Sequence, residues 1–340
     1  MYLQALSHAL PDSIFTQSEV WEMLRSAPQA HSLKSRSLSL LEKILLGPSG
    51  IETRHIAASD PQSLFAMHPG ELNAYFENHA PQLGCRALQN ALTKAGLNAA
   101  DIDALFVATC SGYLCPGPSS HIAEHVGLRD DCALTDLAGL GCGAAIPALR
   151  CASHYLAAHP LATVAVLAVE VCTAAFFLND DPAVLISLCL FGDAASASLW
   201  RANPSNTSSG RLGGFHSLHL PEHREKIRFI NDTGFLRNQL DRQVPALAGQ
   251  AVARMAGAEG TYDRLICHPG GRDVLDAIES ALPGYPQEAS RAVLRHQGNC
   301  SSPSVMLALE RDLNLHPECQ ERVLASFGAG FACHTARFSR

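Results

Sequence analysis

Two stretches, Asp103-Ala104-Leu105-Phe106-Val107-Ala108 and, far downstream, Asp263-Arg264-Leu265-Ile266-Cys267-His268, decide the fold. Each is a short apolar run opened by an aspartate, the signature of a buried strand. The surroundings repeat as well. A helical pattern over Gly84–Ala95 and then Gly96 precede the first; Pro245–Ala256 and then Gly257 precede the second. A Gly/Pro turn and a further helical pattern follow each, over Ser119–Val126 and Arg272–Leu282. A second echo pairs Phe191-Gly192-Asp193-Ala194-Ala195 with Phe327-Gly328-Ala329-Gly330-Phe331, each leading into strand-like alternation. Strands alternating with helices, in an order that occurs twice, predict a duplicated, layered α/β architecture around central sheets.

The Asn-, Ser- and Gly-rich stretch Ala202–Gly214 reads as the linker between the repeats. It divides the chain into residues 1–201 and 202–340. The chain has 340 residues, 47% hydrophobic and 17% charged, which is a globular composition with a large core. A net charge of −7 gives no general electrostatic case for nucleic acid. The longest apolar stretch, Leu161–Leu178, is interrupted by Glu170. It falls short of the roughly 20 apolar residues of a bilayer span and reads as a buried strand plus a short apolar segment. Met1–Leu10 shows no cationic segment followed by an apolar run. The twelve cysteines follow no regular framework, so they read as reduced thiols of a cytoplasmic protein.

One cysteine stands apart. Cys142 lies in Thr135-Asp136-Leu137-Ala138-Gly139-Leu140-Gly141-Cys142-Gly143-Ala144-Ala145, between a strand-like segment and an Ala-rich helical run to Ala152. At such a turn, free backbone N–H groups and the helix dipole favour an anion and lower a thiol pKa from ~8.5. His268 ends its strand and meets Pro269-Gly270-Gly271, on a rigid element beside an open turn. Asn299 follows Gly298 and precedes a helical pattern over Ser302–Asp312. Histidine pairs with a thiolate and donates to a thioester carbonyl. An asparagine amide adds a second donor to an enolate or oxyanion, worth ~3–4 kcal/mol. Taken singly, each residue has a plainer reading as core cysteine, buried histidine or helix cap; the three contexts together make chance a poor account.

These motifs resemble the type III polyketide synthases, the chalcone-synthase-like group of the thiolase superfamily. The similarity rests on Gly-Cys-Gly-Ala-Ala around Cys142, His-Pro-Gly-Gly at 268–271 and Gly-Asn-Cys-Ser-Ser at 298–302. Ser49-Gly50-Ile51-Glu52-Thr53-Arg54-His55, Cys110-Ser111-Gly112-Tyr113-Leu114-Cys115-Pro116-Gly117 and Leu190-Phe191-Gly192-Asp193 extend it. The resemblance implies a homodimer with a five-layered αβαβα thiolase-like fold. It implies that Cys142 takes an acyl starter from coenzyme A, and that His268 and Asn299 decarboxylate malonyl-CoA into the attacking enolate. It implies Phe191 as a gatekeeper, and Cys110, Ser111, Glu170, Cys172, Ala175 and Ser301 around the growing chain. Cys115 would reach into the partner's cavity. Coenzyme A thioesters are substrates, and no metal or redox cofactor is implied. An acyl carrier protein is a second candidate donor.

Departures accompany the match. The plant family's Gly-Phe-Gly-Pro-Gly appears as Ser326-Phe327-Gly328-Ala329-Gly330. The second plant gatekeeper phenylalanine falls near Asn238, and of the basic cluster that holds coenzyme A only Lys43 and Arg54 are candidates. The rival readings are a ketoacyl synthase III-like enzyme that extends once and a non-catalytic thiolase-fold acyl-binding subunit. Two weaker motifs point elsewhere. His121-Ile122-Ala123-Glu124-His125 fits a zinc-protease pattern, read here as a surface helix turn. Gly139–Ala144 fits a loose dinucleotide fingerprint, but the expected ribose-binding acid is missing.

Overall fold

The computed structural model describes residues 1–206 and 208–340; Thr207, within the linker-like stretch, lies outside the described residues. The first half runs β1 (Tyr2–Ala9), β2 (Ile14–Thr16), α1 (Gln17–Ser26), α2 (Ser35–Leu45), β3 (Thr53–His55), α3 (Pro69–Ala95) and β4 (Ala104–Ala108). It continues through α4 (Pro118–Val126), β5 (Ala133–Leu137), α5 (Ala145–Ala158), β6 (Thr163–Glu170), α6 (Pro182–Leu190) and β7 (Ala194–Arg201). The second half runs β8 (Gly210–His219), β9 (Ile227–Asp232), β10 (Phe235–Leu240), α7 (Val244–Gly257), β11 (Arg264–Cys267) and α8 (Arg272–Ala281). It ends with α9 (Glu288–Gln297), α10 (Ser304–Leu315), β12 (Glu321–Gly328) and β13 (Ala332–Ser339).

Nine strands form one mixed sheet in the order β11-β12-β13-β8-β1-β7-β6-β4-β5. Reading outward from the central β1–β8 junction, the halves repeat. β1 pairs antiparallel with β7, β7 antiparallel with β6, and β6 parallel with β4. Likewise β8 pairs antiparallel with β13, β13 antiparallel with β12, and β12 parallel with β11. The two opening aspartates do the same work. Asp103 accepts from the backbone N–H of Thr163, and Asp263 from those of Gln320 and Glu321, so each caps the start of the neighbouring strand.

The apolar faces of the strands set the layers. β4, β6 and β7 share a core with α5, α10 and strands β11, β12 and β13 of the other half. The opposite face of the first half packs on α3, and the opposite face of the second on α7 and α8. The result is the five-layered order α3/α4, first-half strands, α5/α10, second-half strands, α7/α8, with the two strand layers joined where β1 pairs β8. Both central helices begin at a candidate site turn, Cys142 before α5 and Asn299 before α10.

Two local expectations change. The helix expected at Gly84–Ala95 starts at Pro69 and carries Pro81 inside it. Its face from Leu72 through Tyr75, Phe76 and Ala80 is buried, and that packing outweighs the break a proline imposes. Gly84 lies where α4 crosses, since a Cβ there would sit 2.6 Å from Ile122. The linker-like stretch is shorter than its composition suggests, because β8 begins at Gly210, against which the Phe338 ring packs.

α10 is tied to the second half's strands by ions. Fully buried Asp312 accepts from Arg322 Nε at 2.8 Å and from Arg264 Nε at 2.5 Å, while the remaining Arg322 nitrogens reach the His316 and Cys319 carbonyls. Removing one partner of such a pair strands a buried charge. Asp312→Ala is expected to destabilise the protein by about 3–5 kcal/mol in urea unfolding; a loss below about 1 kcal/mol is the size seen for exposed pairs and would show that Arg322 is not held by this carboxylate.

Candidate active site

The nucleophile turn is set by close backbone contact. Cys142 sits in a single 3-10 turn, Gly141–Gly143, after Gly139 and Gly141 at φ +80° and +60°. It lies against the β12–β13 turn. A Cβ at Gly328 would come within 2.7 Å of Gly143 N and 3.0 Å of Cys142 N, and one at Gly141 within 3.0 Å of Ala329 N. The Ser326 hydroxyl donates to the Gly143 carbonyl at 3.0 Å. Ala329, where the plant motif has proline, leaves this contact intact.

His268 is fixed at the end of β11 by its N–H to Ala325 O (2.8 Å), with its ring edge-on to Phe327 at 5.2 Å. Its Nδ1 is buried without a hydrogen-bond partner. Asn299 has its carbonyl Oδ1 held by the Ser301 N–H at 2.9 Å, while Nδ2 donates one proton to Gly270 O at 3.2 Å. That leaves the second Nδ2 proton for another acceptor. Its backbone forms a parallel bridge with Phe191.

Cys142, His268, Asn299, Phe191, Phe327 and Asn238 open on one cavity of about 720 Å³. Its walls come largely from α6 and from the β9–β10 hairpin, which adds Ile227, Phe229 and Leu240. Asn238 is held to α6 by donating to Ser187 Oγ at 2.8 Å. Cys110, Ser111, Glu170, Cys172, Ala175 and Ser301 are not on this cavity's wall. Cys110, Ser111 and Ser301 form a layer beside Cys142, organised by Glu170. That buried carboxylate accepts from the Cys110 and Ser111 N–H groups, the Ser111 hydroxyl (2.7 Å) and the Ser302 hydroxyl (2.5 Å). Cys110 Sγ and Ser301 Oγ are 3.2 Å apart. Cys115 is exposed, away from the cavity.

Burial dominates the electrostatics. The Cys142 thiol is pushed up to about 11, with the Ser301 hydroxyl opposing the shift. This reverses the lowering expected from the helix N-terminus, because desolvation of the thiolate is the larger effect. His268 is pushed down to about 3 by the same cause. Both groups therefore rest neutral. A proton passing from thiol to imidazole creates both charges together, and their attraction offsets the two desolvation costs.

Four cations line the cavity, Lys43 from α2, Arg228 from β9, Arg242 before α7 and Arg272 at the start of α8, alongside Asp241 and Asp273. Lys43 was legible in the sequence. The three arginines were not, because they come from separate segments that only the fold assembles. Arg54, the other candidate, is not on this wall. It is fully buried and donates to Gln17, Leu188 and Phe191. On α4 the His125 Nδ1 contacts the His121 carbonyl, and no group of three or more metal-ligating side chains is placed to hold an ion among the described residues. Among these residues no helix is long and apolar enough to cross a membrane.

Cys142, His268 and Asn299, from three separate turns, thus meet on one cavity. A family profile described as FAE1/Type III polyketide synthase-like protein matches residues 8–219. The chain is 30% identical to a 1,3,6,8-tetrahydroxynaphthalene synthase of Streptomyces coelicolor, over 95% of this chain and 88% of the relative. It is also 30% identical to a 3,5-dihydroxyphenylacetyl-CoA synthase of Streptomyces toyocaensis, over 78% of this chain and 73% of the relative. The crystal structure of the S. coelicolor enzyme superposes with a TM-score of 0.87 at 26% identity, covering 100% of this chain and 99% of that one. The chain belongs to the type III polyketide synthase family, and is an acyltransferase with the thiolase-like fold.

If the imidazole takes the thiol proton, His268→Ala leaves Cys142 with only its own ionisation. Alkylation of Cys142 by iodoacetamide, followed by peptide mass spectrometry, is then expected to titrate near about 11 in the variant and at lower pH in the parent. Coincident profiles would remove His268 as the proton acceptor.

Proposed function

We propose that this enzyme loads an acyl group from coenzyme A onto Cys142, extends it iteratively with malonyl-CoA and releases a cyclised phenolic, resorcinol or pyrone. The observation that carries this reading is the convergence of Cys142, His268 and Asn299, from three separate turns, on one cavity that four cations also line. Cys142 Sγ attacks the acyl thioester as its proton passes to His268, which returns it to the departing coenzyme A thiolate. Malonyl-CoA then places its thioester carbonyl between the His268 ring and the free Asn299 Nδ2 proton. Loss of carbon dioxide puts the electron pair on that carbonyl as an enolate, stabilised by the two donors. The enolate carbon attacks the acyl-Cys142 carbonyl, and the thiolate leaves ready for another cycle. The relatives support a phenolic product, since their names describe hydroxylated aromatic compounds.

Lys43, Arg228, Arg242 and Arg272 suit the phosphates of coenzyme A. A carrier protein's phosphopantetheine arm presents the same thioester to the same cavity. All twelve cysteines are free, which suits a reducing cytoplasm. A second copy of the chain has a place to dock. β5 is the sheet's outer strand, and Leu134 on it is 40% exposed. The segment that carries Cys115 lies beside this edge, where Ser119 N–H donates to Asp136 at 3.0 Å. Open strand edges pair readily with another chain.

Cys142→Ala is expected to abolish acyl loading and product formation. His268→Ala and Asn299→Ala are expected to cut malonyl-CoA decarboxylation by about 10²-fold or more, Asn299→Ala with much the smaller effect on loading. Intact-protein mass spectrometry with a panel of acyl-CoAs, alongside product analysis, checks this. Several malonyl-derived units per product support the iterative reading, and a single unit supports the one-step condensing rival. Leu134→Arg is expected to turn a dimer into a monomer in sedimentation; an unchanged mass would place the interface elsewhere.

A further inference from the structure

A buried arginine without a carboxylate partner needs an explanation. Arg54 is fully buried, and no acidic group lies within ion-pair distance among the described residues. Its Nη1 addresses the end of α6 and its Nε addresses Gln17, while Nη2 is buried without a hydrogen-bond partner among the described residues. The last carbonyls of a helix have no partners within the helix, and the helix dipole makes that end negative. Here every one is taken. Arg54 Nη1 donates to Leu188 O (2.6 Å) and to Phe191 O (2.8 Å). Gln17 Nε2 donates to Cys189 O at 2.9 Å, and Gln17 Oε1 in turn accepts from Arg54 Nε at 2.9 Å. The remaining carbonyl, Leu190 O, accepts from the backbone N–H of Asn299 at 2.9 Å, and the Asn299 carbonyl takes the N–H of Gly192 at 3.1 Å.

Asn299 is thus one member of a helix cap, and Arg54 is its neighbour in that cap. The packing is tight enough to dictate glycine. A Cβ at Gly298 would lie 2.7 Å from Leu190 O and 3.0 Å from Arg54 Cγ, and Gly298 sits at φ +72°. The other end of α6 is tied to the hairpin that walls the cavity. Arg237 of β10 pairs with Asp181 there at 2.7 Å, while Asn238 donates to Ser187 in the helix's last turn. Between its two anchors α6 presents Pro182, Ala183, Ile186 and Leu190 to the cavity.

We propose that Arg54 and Gln17 are positioning residues for Asn299, setting the catalytic amide through the capped end of α6 rather than merely supporting the fold. This rests on the reading that Asn299 serves decarboxylation and Cys142 serves loading. The cap meets the backbone of Asn299 and Phe191, and it leaves the Cys142 turn to the β12–β13 contact. Its loosening therefore shifts one donor of the enolate and spares the nucleophile.

The test uses Gln17→Leu and Arg54→Lys in the full-length enzyme, with Asn299→Ala as reference. Three quantities are read: Cys142 acylation by intact mass, malonyl-CoA decarboxylation by release of carbon dioxide, and thermal midpoint. Gln17→Leu is expected to lower decarboxylation about tenfold with acylation within about twofold, the scale of a sub-ångström displacement of a catalytic group. Arg54→Lys, which keeps the charge and loses the two-carbonyl reach, is expected to show the same split. Parallel loss of both activities, or no loss of either, would overturn the proposal. Should Arg54→Lys fail to fold, Gln17→Leu decides alone, because it leaves the buried arginine in place. If Asn299→Ala decarboxylates normally, the failure is that of the underlying reading and not of the cap.

Discussion

Everything at the active site depends on one steric constraint, the contact of two glycine turns across the duplication. Gly328, between β12 and β13, meets the backbone of Cys142 and Gly143 with no room for a side chain. Through that contact the nucleophile of one half is placed against the strand end of the other, where His268 is held by Ala325 and Phe327. The central helices α5 and α10 are packed between both halves, so neither half presents a complete site or a complete core alone.

The chemistry follows from burial as much as from residue type. In a buried site a thiol and an imidazole resist charging separately, and the structure holds both neutral. Such a pair is quiet until a thioester gives the proton transfer a purpose. Beside it, Glu170 is held by main-chain N–H groups and hydroxyls, so a buried carboxylate is satisfied without a counter-cation. That layer fixes Cys110 and Ser301 against the nucleophile.

α6 plays a different part. It is nearly all apolar and buried, yet its carbonyl end is satisfied by a cation, a side-chain amide and the backbone of Asn299. One helix therefore both lines the cavity and holds the backbone of Asn299.

Much of this was readable from local pattern. Period, turn residues and the repeated Asp-led strands point to the layered duplication, because hydrophobic period and turn residues are local properties. The contexts of Cys142, His268 and Asn299 mark them out as site candidates, because small turns and strand ends are local properties. Three things were decided only by tertiary structure. The extent of α3 depends on an apolar face that meets other segments and overrides Pro81. The cationic lining gathers Arg228, Arg242 and Arg272 from segments that sequence distance hides. Arg54 reads as a candidate for holding coenzyme A and becomes a buried helix cap, because burial, charge state and partners arise from the whole fold and not from the residues beside it.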